Sequence, residues 1–388
     1  MKVIQLFKIY WPDNGGGIAK VMESIAECLP GWQHEVIVCQ GSRQKKRRTQ
    51  IYRGVLVRRC RQLFTAASTP VSLDFLRQVK KYTKDADIVI YHFPYPMADL
   101  AVLLGLPAGR LVVWWHCGFE KYAWLAPLYR PFAWHTLKKA DLILVSAKGN
   151  VKNSRLLRQF EKKCRVIPFC VSDTYLQKGS AYAAGIEKAQ ESGESQKKTI
   201  RILFIGRLVW YKGCDILLKA FQSMKQKNCR LILIGSGVLE MELRQLAASL
   251  GLTHVEFMGR VSEKEKMRQI EMCDFLVLPS VSKAEAFAVV QIEAMAFGKP
   301  VINTALPSGV PDVSIDGVTG ITVKPKSVRG LARAMDTLAE DEGLRRMYGS
   351  NALQRVQEKY TQQKMGERYR EIFEKKVKET YKGLCWKE

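Results

Sequence analysis

Short apolar runs rich in β-branched residues alternate along this chain with longer stretches whose apolar residues recur at helical spacing. Because the runs are apolar on both faces, they are typical of parallel strands covered by helices on each side. The alternation predicts an α/β protein with doubly wound sheets. The runs begin at Lys2, Glu35, Asp87, Arg110, Asp141 and Arg165 in the first half and at Arg201, Arg230, Val255, Asp274, Pro300 and Gly320 in the second.

A change in composition divides the chain. Residues Lys178 to Lys198 are polar and rich in turn-forming residues, which is typical of a linker or an exposed segment. The sequence therefore predicts one Rossmann-like domain over residues 1–180 and a second over residues 199–360, facing each other across a cleft. The stretch from Leu331 to Lys382 is charged and helix-forming throughout. We expect a helix at residues 361–388 that packs back on the first domain.

The chain is strongly basic, because 62 Lys and Arg against 37 Asp and Glu give its 388 residues a formal charge of +25. Such an excess predicts an anionic partner: nucleic acid, an anionic membrane face or a phosphorylated substrate. With 47% hydrophobic residues, both halves can still bury a core.

Ten cysteines are spread along the chain without a Cys-x-x-Cys pair or a Cys/His cluster, which argues against a zinc site and a disulfide framework. Those in apolar runs, such as Cys39, Cys170 and Cys273, are expected to be buried as small hydrophobic residues. The N-terminus is typical of a first strand rather than a signal peptide, and no apolar run reaches about 18 residues. We expect a cytoplasmic protein that is soluble or bound to a membrane surface.

The first candidate ligand segment is Trp11-Pro-Asp-Asn-Gly-Gly-Gly-Ile-Ala-Lys20, directly after the first strand. Gly15, Gly16 and Gly17 allow a tight turn and let backbone N–H groups approach an anion at the start of the next helix. A purely structural glycine turn is an equal alternative. The spacing is not Gly-x-Gly-x-x-Gly, which argues against an ordinary dinucleotide site.

The second candidate segment is Phe204-Ile-Gly-Arg-Leu-Val-Trp-Tyr-Lys-Gly213, at the end of the first strand of the second half. Arg207 and Lys212 lie in a strand-to-helix loop, where the carboxyl ends of parallel strands meet ligands. Two cations there can clamp a diphosphate, Arg in bidentate fashion and Lys as a point charge. The alternative is a pair of solvated surface charges.

The third candidate segment carries two carboxylates, Glu285 and Glu293, eight residues apart. At 3.6 residues per turn, this spacing places them on roughly the same side of a helix. We expect Glu285 at a helix mouth and Glu293 two turns deeper, at opposite ends of a long ligand. N–H groups near Phe287, Ala288 and Val289 would face its phosphates.

The fourth candidate segment is Trp114-Trp-His-Cys-Gly-Phe119, which closes a strand of the first half. His116 at the carboxyl end of that strand would face the same ligand, although a structural histidine is the commoner outcome for an isolated strand-end imidazole.

Together these segments resemble the retaining glycosyltransferases of family 4, which have the GT-B architecture of two facing Rossmann-like domains. The matching pieces are collinear and cover nearly the whole chain. They are Gly15-Gly-Gly, Gly206-Arg-Leu-Val-Trp-Tyr-Lys-Gly213, Gly235-Ser-Gly237, Glu285 to Glu293, and Pro311-Asp with Asp316-Gly-Val-Thr-Gly320.

The resemblance implies a role for each site residue. Arg207 and Lys212 would hold the diphosphate of a nucleotide-sugar donor, Glu293 the ribose hydroxyls, and Glu285 the transferred sugar, with His116 as a second catalytic residue. Departure of a nucleoside diphosphate needs such cationic and N–H stabilisation. The resemblance also implies a same-face displacement without a carboxylate nucleophile, unlike a glycosidase pair. The remaining donor-binding residues are expected to be Gly16, Gly17, Gly235, Val261, Phe287, Ala288 and Val289.

Two positions depart from the family pattern. The family often has His-x-Asp where this chain has His116-Cys-Gly118, and Gly-Gly-x-Pro-Glu where this chain has Ser308-Gly-Val-Pro-Asp312. The acidic side chain is kept at Asp312 but is shorter, so the identity of the donor sugar stays open.

Within the family, Thr69–Leu73, Tyr91–Pro96 and Ser308–Pro311 look like the mannosyltransferases of bacterial surface-polysaccharide assembly, which use GDP-mannose. This implies transfer of a hexose, with mannose from GDP-mannose as the first candidate, onto a glycan or a polyprenyl-diphosphate-linked acceptor. Alternatives are a UDP-sugar donor carrying glucose, galactose or N-acetylglucosamine, and an epimerase or phosphorylase of the same fold. We expect no metal and no cofactor besides the donor.

The basic segment Arg43–Arg61 contains nine Lys and Arg residues. A nucleic-acid-binding protein is the alternative from a different class, but no helix-turn-helix, zinc finger or RNA-binding aromatic pattern accompanies the charge. We expect no nucleic-acid partner and assign the segment to docking on an anionic membrane surface, where each basic residue contributes about 1 kcal/mol. A solvated loop is the alternative.

Overall fold

The computed structural model describes residues 1–12, 16–39, 48–66, 69–118, 126–190 and 199–382. The chain forms two compact units. Unit 1 comprises Met1–Phe169 together with Met365–Glu388, and unit 2 comprises Cys170–Lys364.

Unit 1 is built on an eight-stranded sheet in the order β10-β9-β8-β7-β1-β2-β4-β3, parallel except for the β3–β4 pair. Its strands are β1 (Lys2–Leu6), β2 (Gln33–Cys39), β3 (Arg48–Tyr52), β4 (Val55–Cys60), β7 (Ile88–Phe93), β8 (Arg110–Trp115), β9 (Leu142–Val145) and β10 (Cys164–Val166), and β5 (Phe64–Ala66) pairs separately with β6 (Thr69–Val71). The described helices of this unit are α1 (Gly17–Cys28), α2 (Leu73–Tyr82), α3 (Pro96–Leu103), α4 (Ala126–Lys139), α5 (Lys148–Lys152), α6 (Arg155–Arg158) and α15 (Gln362–Lys382).

Unit 2 is built on a six-stranded parallel sheet in the order β13-β12-β11-β14-β15-β16. Its strands are β11 (Ile200–Ile205), β12 (Cys229–Ile234), β13 (Val255–Gly259), β14 (Phe275–Val277), β15 (Val301–Thr304) and β16 (Gly320–Val323). Its described helices are α7 (Asp173–Gln190), α8 (Cys214–Gln222), α9 (Glu240–Ser249), α10 (Glu263–Met272), α11 (Val289–Met295), α12 (Val310–Val313), α13 (Val328–Glu340) and α14 (Glu342–Lys359).

The twelve predicted strands are confirmed, and together with β4 they form the parallel parts of the two sheets. Each sheet has a buried apolar core between its strands and helices, as continuous hydrophobic runs require. Cys39, Cys170 and Cys273 are buried, as predicted. Four of the longer helices begin after a side chain that accepts a backbone N–H, which satisfies a donor that the first turn leaves unpaired. These residues are Ser72, Ser262, Ser327 and Asp341.

Strands β3 to β6 are absent from the sequence-based prediction. Strand β3 is largely exposed at the sheet edge and its residues do not alternate clearly in hydrophobicity. It turns into β4 through Arg53 and Gly54, which both have positive φ. Short exposed strands of this kind lack the apolar signal on which the prediction rested.

The prediction of a linker over 178–198 is wrong for residues 178–190, which continue α7, while 191–198 lie outside the described residues. The helix packs on the rest of unit 2. A Cβ on Gly179 would lie 1.9 Å from the backbone oxygen of Ala296, so only glycine allows this approach. Lys299 donates to the Tyr182 hydroxyl at 3.0 Å. The first domain therefore ends near Phe169 rather than at residue 180.

Helix α15 contacts the sheet and first helix of unit 1. The Trp114 indole donates to the Tyr369 hydroxyl at 2.7 Å, and Phe373 lies against Trp32. A Cβ on Gly366 would lie 2.5 Å from the Cys28 backbone oxygen, so the helix approaches α1 closely at that glycine.

Candidate active site

The first strand of unit 2, β11, lies between β12 and β14, so the chain changes direction across the sheet at this point. In open α/β sheets, ligands bind at the carboxyl ends of the strands beside such a switch point. The loop 206–213 follows β11 and the loop 278–288 follows β14. The residues predicted for the donor diphosphate and the transferred sugar therefore come from adjacent strand ends.

Lys212 and Glu285 form an ion pair across these two loops. The Lys212 Nζ lies 2.5 Å from Glu285 Oε2, which also accepts a hydrogen bond from the Ser280 hydroxyl at 3.0 Å. Both charged residues are only 8% exposed. Such burial is stable because each charge has a partner, and removal of one partner would leave the other uncompensated.

Arg207 is placed differently from Lys212, although both belong to the same loop. Its side chain is exposed and donates to the Tyr211 hydroxyl at 2.8 Å, with the guanidinium 5.9 Å from the Tyr211 ring. The loop thus presents one exposed cation and one cation held in a buried pair.

Three glycines allow the loops at this edge to approach one another. A Cβ on Gly206 would lie 3.3 Å from Lys212 Nζ, and one on Gly213 would lie 2.3 Å from the backbone oxygen of Pro279. At Gly235, which has a φ of +133°, a Cβ would lie 1.9 Å from the backbone oxygen of Gly206. Gly213 and Gly235 are therefore required for close packing of backbone on backbone, whereas a Cβ on Gly206 would crowd only the side chains of Phe204 and Lys212.

Glu293 lies in α11 and is paired with a lysine of α10. Lys266 Nζ is 3.1 Å from both carboxylate oxygens of Glu293 and 3.0 Å from Glu263. Glu263 also accepts from the Tyr175 hydroxyl at 3.0 Å. Burial, together with the nearby charges of Glu293 and Glu263, raises the pKa of the Tyr175 phenol, so this hydroxyl is a donor at neutral pH.

The expectation that both glutamates belong to one helix is confirmed for Glu293 and wrong for Glu285. Helix α11 begins at Val289, so Glu293 lies inside the helix, but Glu285 lies four residues before it in the loop. The residue before the helix, Ala288, has a φ of +61°, a conformation that costs a non-glycine residue roughly 1 kcal/mol or more. Gly309 donates to the backbone oxygen of Ala286 at 2.9 Å and fixes the loop nearby.

Among the other predicted donor residues, Phe287 is buried with its ring against Tyr360, and Val289 is half-buried. Gly235 follows β12 and donates to the backbone oxygen of Gly259, and Val261 is half-buried in the loop after β13. Unit 2 therefore gathers nine of the predicted site residues at the carboxyl edge of one sheet.

In unit 1, the loop after β1 leads into α1, whose N-cap is Gly16. Gly15 lies outside the described residues. A Cβ on Gly16 or Gly17 would meet no atom of the described residues within 4 Å, so the space beside both glycines is open. Gly16 has no side chain with which to cap the first turn of this 12-residue helix, whose N-terminal end favours negative charge.

His116 follows β8 and belongs to a buried hydrogen-bonded chain. Its Nε2 lies 2.8 Å from His92 Nδ1, His92 Nε2 lies 2.9 Å from Gln5 Oε1, and Gln5 Nε2 donates to the Met22 backbone oxygen at 3.0 Å. The His116 ring is stacked on the Trp114 and His92 rings, with centroids 4.8 and 5.1 Å apart. These hydrogen bonds connect the end of β8 with β7, then with β1, and finally with α1.

Both histidines are neutral in the folded protein. Burial without a compensating charge lowers the pKa of His116 to about 3 and the pKa of His92 well below its usual value. A neutral imidazole has one N–H donor and one acceptor nitrogen. His116 is therefore suited to hydrogen bonding or to accepting a proton transiently, and not to holding an anion.

The basic segment Arg43–Arg61 is only partly a surface. Arg59 is 2% exposed and donates to the backbone oxygen of Trp11, and Arg58 is paired with Glu35 and stacked on Tyr82. The prediction of nine basic residues on one docking face is therefore wrong for these two, because β4 turns them toward the body of unit 1. Arg48, Arg53 and Arg61 are exposed, and residues 43–47 lie outside the described residues.

The described residues contain no group of three or more His, Cys, Asp and Glu side chains arranged to hold a metal ion. None of the helices in the described ranges is long and apolar enough to cross a membrane.

Four residues that hold the site residues in place escaped the sequence analysis: Ser280, Lys266, His92 and Gln5. Lys266 lies in a helix with charge on most positions, and Ser280 lies in a loop of mixed composition. Gln5 and His92 offered one signal, since each is a polar residue inside an apolar strand run. A fully buried polar side chain needs a hydrogen-bond partner, and each of these two finds the other.

Comparisons with known proteins agree with this arrangement. Residues 15–174 match the model of Glycosyltransferase Family 4, and residues 185–355 match that of Glycosyl transferases group 1. The chain is 31% identical to the O-antigen chain mannosyltransferase C of Escherichia coli, over 96% of this chain and 98% of the relative. It is also 31% identical to the D-rhamnosyltransferase WbpZ of Pseudomonas aeruginosa, over 93% and 92% of the two chains.

Among solved structures, the sucrose-phosphate synthase of Thermosynechococcus elongatus superposes with a TM-score of 0.75 at 20% identity, covering 97% of this chain and 99% of the other. This likeness confirms the predicted GT-B fold class. The full-length similarity to two curated transferases establishes the family: the chain belongs to glycosyltransferase family 4 and is a hexosyltransferase of the retaining type.

Proposed function

We propose that this enzyme transfers mannose from GDP-mannose, with retention of the anomeric configuration, onto a glycan or a polyprenyl-diphosphate-linked glycan during assembly of a bacterial surface polysaccharide. The observation that carries the proposal is the pair of Lys–Glu contacts at one sheet edge of unit 2. The full-length similarity to an O-antigen mannosyltransferase supports mannose as the sugar. A UDP-sugar donor is the alternative within the family.

The diphosphate of the donor binds to Arg207 and Lys212. The Lys212 ammonium has three N–H donors, so it can bond a phosphate oxygen while it keeps its contact with Glu285. Arg207 is exposed and presents a planar fork of donors suited to phosphate. Both cations stabilise the negative charge that develops on the leaving nucleoside diphosphate.

The two glutamates divide the rest of the donor between them. Glu293, held by Lys266, accepts hydrogen bonds from the ribose hydroxyls. Glu285, held by Lys212 and Ser280, contacts the transferred sugar and stabilises positive charge at its anomeric carbon. In the reaction, the bond from that carbon to the phosphate oxygen breaks and a bond to the acceptor oxygen forms on the same face. The acceptor proton passes to the leaving phosphate.

The test is a screen of GDP-, UDP-, ADP- and dTDP-sugars, followed by calorimetry and by proton NMR of the released or transferred sugar, with EDTA present throughout. We expect GDP-mannose to bind and to turn over with the α-anomer retained, because the two cations stabilise the diphosphate without a metal. Loss of all turnover on chelation that manganese restores would contradict the metal-free mechanism. Turnover of a UDP-sugar alone would replace GDP-mannose as the donor.

We further propose that the enzyme acts at the inner face of the plasma membrane and docks there through the basic segment. Fewer basic residues are available for docking than the sequence suggests, because Arg53 and Arg58 are paired with glutamates and Arg59 is buried. We therefore assign the docking to residues 43–48 and Arg61. Attachment through charge is salt-sensitive, because the Debye length is about 8 Å at physiological ionic strength.

Vesicle pelleting tests the docking. We expect the protein to pellet with vesicles of acidic lipid, to stay in solution with neutral vesicles, and to be released by salt. Neutral substitutions at Arg43, Lys45, Lys46, Arg47 and Arg48 should abolish pelleting and lower activity on a lipid-linked acceptor while sparing donor hydrolysis. Substitution of five exposed basic residues of unit 2, Lys219, Lys324, Lys326, Arg329 and Arg333, is the matched control. Equal pelleting of the wild type and the first variant would contradict the docking role.

A further inference from the structure

The donor and acceptor in each hydrogen bond between Met22 and His116 can be assigned, because the series starts at a backbone carbonyl group. The backbone oxygen of Met22 can only accept a hydrogen bond, so the Gln5 group 3.0 Å from it must be the amide nitrogen. The Gln5 oxygen then points at His92 Nε2, 2.9 Å away. This assignment of the Gln5 amide follows from the donor and acceptor roles alone.

The Gln5 oxygen determines which ring nitrogen of His92 is protonated. An oxygen acceptor at Nε2 requires that this nitrogen carries the proton of the imidazole. His92 is fully buried and neutral, so its Nδ1 is left with a lone pair. His116 Nε2, 2.8 Å from that lone pair, must therefore be the donor.

The remaining nitrogen of His116 is then fixed as an acceptor. With Nε2 protonated and the ring neutral, Nδ1 has a lone pair, and it has no hydrogen-bond partner among the described residues. Stacking on Trp114 and His92 fixes the plane of the ring. His116 keeps 7% of its surface exposed. The neutral acceptor is suited to a hydroxyl group and not to a phosphate.

We infer that Gln5 and His92 are positioning residues that hold His116 in the Nε2-protonated tautomer, so that His116 Nδ1 accepts a hydrogen bond from a hydroxyl group of the sugar substrates. The inference rests on the proposed function for the identity of the ligand, while the tautomer follows from the hydrogen bonds alone. The hydroxyl belongs either to the transferred sugar or to the acceptor, and the assays below separate the two.

The tautomer is tested first, on the wild-type enzyme and without substrate. In long-range proton–nitrogen NMR spectra of protein labelled with 15N-histidine, a protonated ring nitrogen and a bare one give distinct signals. We expect both His92 and His116 to have a protonated Nε2 and a bare Nδ1 at pH 7. A protonated Nδ1 on His116 would overturn the inference, whatever the enzyme transfers.

Two substitutions at Gln5 then test whether the hydrogen-bonded chain fixes the tautomer of His116. Gln5→Leu removes the acceptor for His92, so the tautomer of both histidines should become mixed, and kcat/KM should fall about tenfold, the effect of one hydrogen bond of about 1.4 kcal/mol. Gln5→Glu is the matched control, because a buried, neutral carboxyl group can donate its O–H to the Met22 backbone oxygen and accept from His92 Nε2 through its other oxygen. It should retain the wild-type tautomer and most of the activity.

The pattern of lost activity identifies the hydroxyl. If donor hydrolysis and transfer fall together in Gln5→Leu, the hydroxyl belongs to the transferred sugar, and if transfer alone falls, it belongs to the acceptor. A changed tautomer with both activities intact would overturn the role of Nδ1. If the wild-type enzyme turns over no nucleotide sugar, the proposed function is wrong. The NMR spectra still show whether Gln5 and His92 hold His116 in the Nε2-protonated tautomer.

Discussion

The buried polar residues at the candidate sites of unit 2 and unit 1 differ in charge. In unit 2, Lys212 and Glu285 are both charged, and each is stabilised by the other. In unit 1, His92 and His116 are neutral and share hydrogen bonds without any charge. The difference matches the groups that each set is proposed to bind. A diphosphate needs cations, whereas a sugar hydroxyl can donate to a neutral acceptor such as an unprotonated imidazole nitrogen.

The comparison also shows two ways of preventing a buried polar group from destabilising a fold. An ion pair depends on both partners, so the loss of one leaves a charge in a medium of low polarity. A neutral hydrogen-bonded chain depends on tautomers, and it is stable only while its imidazoles remain unprotonated. The two units should therefore respond to different perturbations: unit 2 to single charge substitutions, and unit 1 to acid.

The largest expected effect is on catalysis at Glu285. Glu285→Gln keeps the shape of the side chain and removes its charge, so kcat should fall on the order of 100-fold or more while donor affinity changes little. Glu256→Gln, on an exposed residue of β13, is the control and should leave kcat unchanged. A Glu285→Gln enzyme with wild-type kcat would remove this residue from the mechanism.

The next effect is on the stability of unit 2. Lys212→Met leaves Glu285 buried without its cation, which should cost ~3 kcal/mol or more and lower the melting temperature by several degrees. The double variant with Glu285→Gln should recover most of this loss without recovering activity. Calorimetric melting of both variants is the measurement. An unchanged melting temperature in Lys212→Met would mean that the pair is not as buried as its 8% exposure indicates.

The third effect is acid destabilisation of unit 1. The folded pKa of His116 is about 3 and lies below its unfolded value of about 6.5, so its stabilising contribution is complete above pH 6.5 and is lost as the pH falls toward 3. Between pH 6.5 and pH 5 this amounts to roughly 2 kcal/mol. In His116→Gln, which cannot titrate, the loss of stability over this range should be smaller by that amount.

His254 is exposed, so His254→Gln is the control for the acid response and should lose stability as the wild type does. An identical pH dependence for wild type and His116→Gln would show that His116 is not kept neutral by burial.

The smallest effect separates the two cations of the β11 loop. Arg207 is exposed and makes no buried contact, so Arg207→Ala should leave stability within about 0.5 kcal/mol of wild type. Its donor affinity should still fall about tenfold or more, because a charge-assisted bond to phosphate is lost. Calorimetric titration of the nucleotide gives the affinity. Arg207→Ala with wild-type affinity would restrict the diphosphate contact to Lys212.

The sequence was most informative where apolar runs are long. The twelve strands and the placement of Arg207 and Lys212 at a strand end followed from these runs. Glu285 and Glu293 were predicted from their spacing on a helix, and only Glu293 lies in one. The course of α7 did not, because its polar composition hides the few contacts, such as Gly179 against Ala296, that hold it on unit 2.

The partners of the site residues could not be predicted for a related reason. Lys266 reaches Glu293 across 27 positions, and His92 reaches Gln5 across 87. Such contacts depend on which strands and helices are neighbours, and a single sequence does not specify that arrangement. The same limit explains why Arg58 and Arg59 were assigned to a surface: their direction depends on β4, a strand without a clear apolar signal.

The two Lys–Glu pairs of unit 2 are proposed to hold different ends of the donor. The most direct measurement is the calorimetric affinity of Glu293→Gln and Glu285→Gln for the free nucleoside diphosphate, which has the ribose but no sugar. Affinity should fall about tenfold in Glu293→Gln, which loses a charge-assisted bond to the ribose, and should stay at the wild-type value in Glu285→Gln. An equal change in the two variants, or a larger loss in Glu285→Gln, would show that the two pairs do not divide the donor in this way.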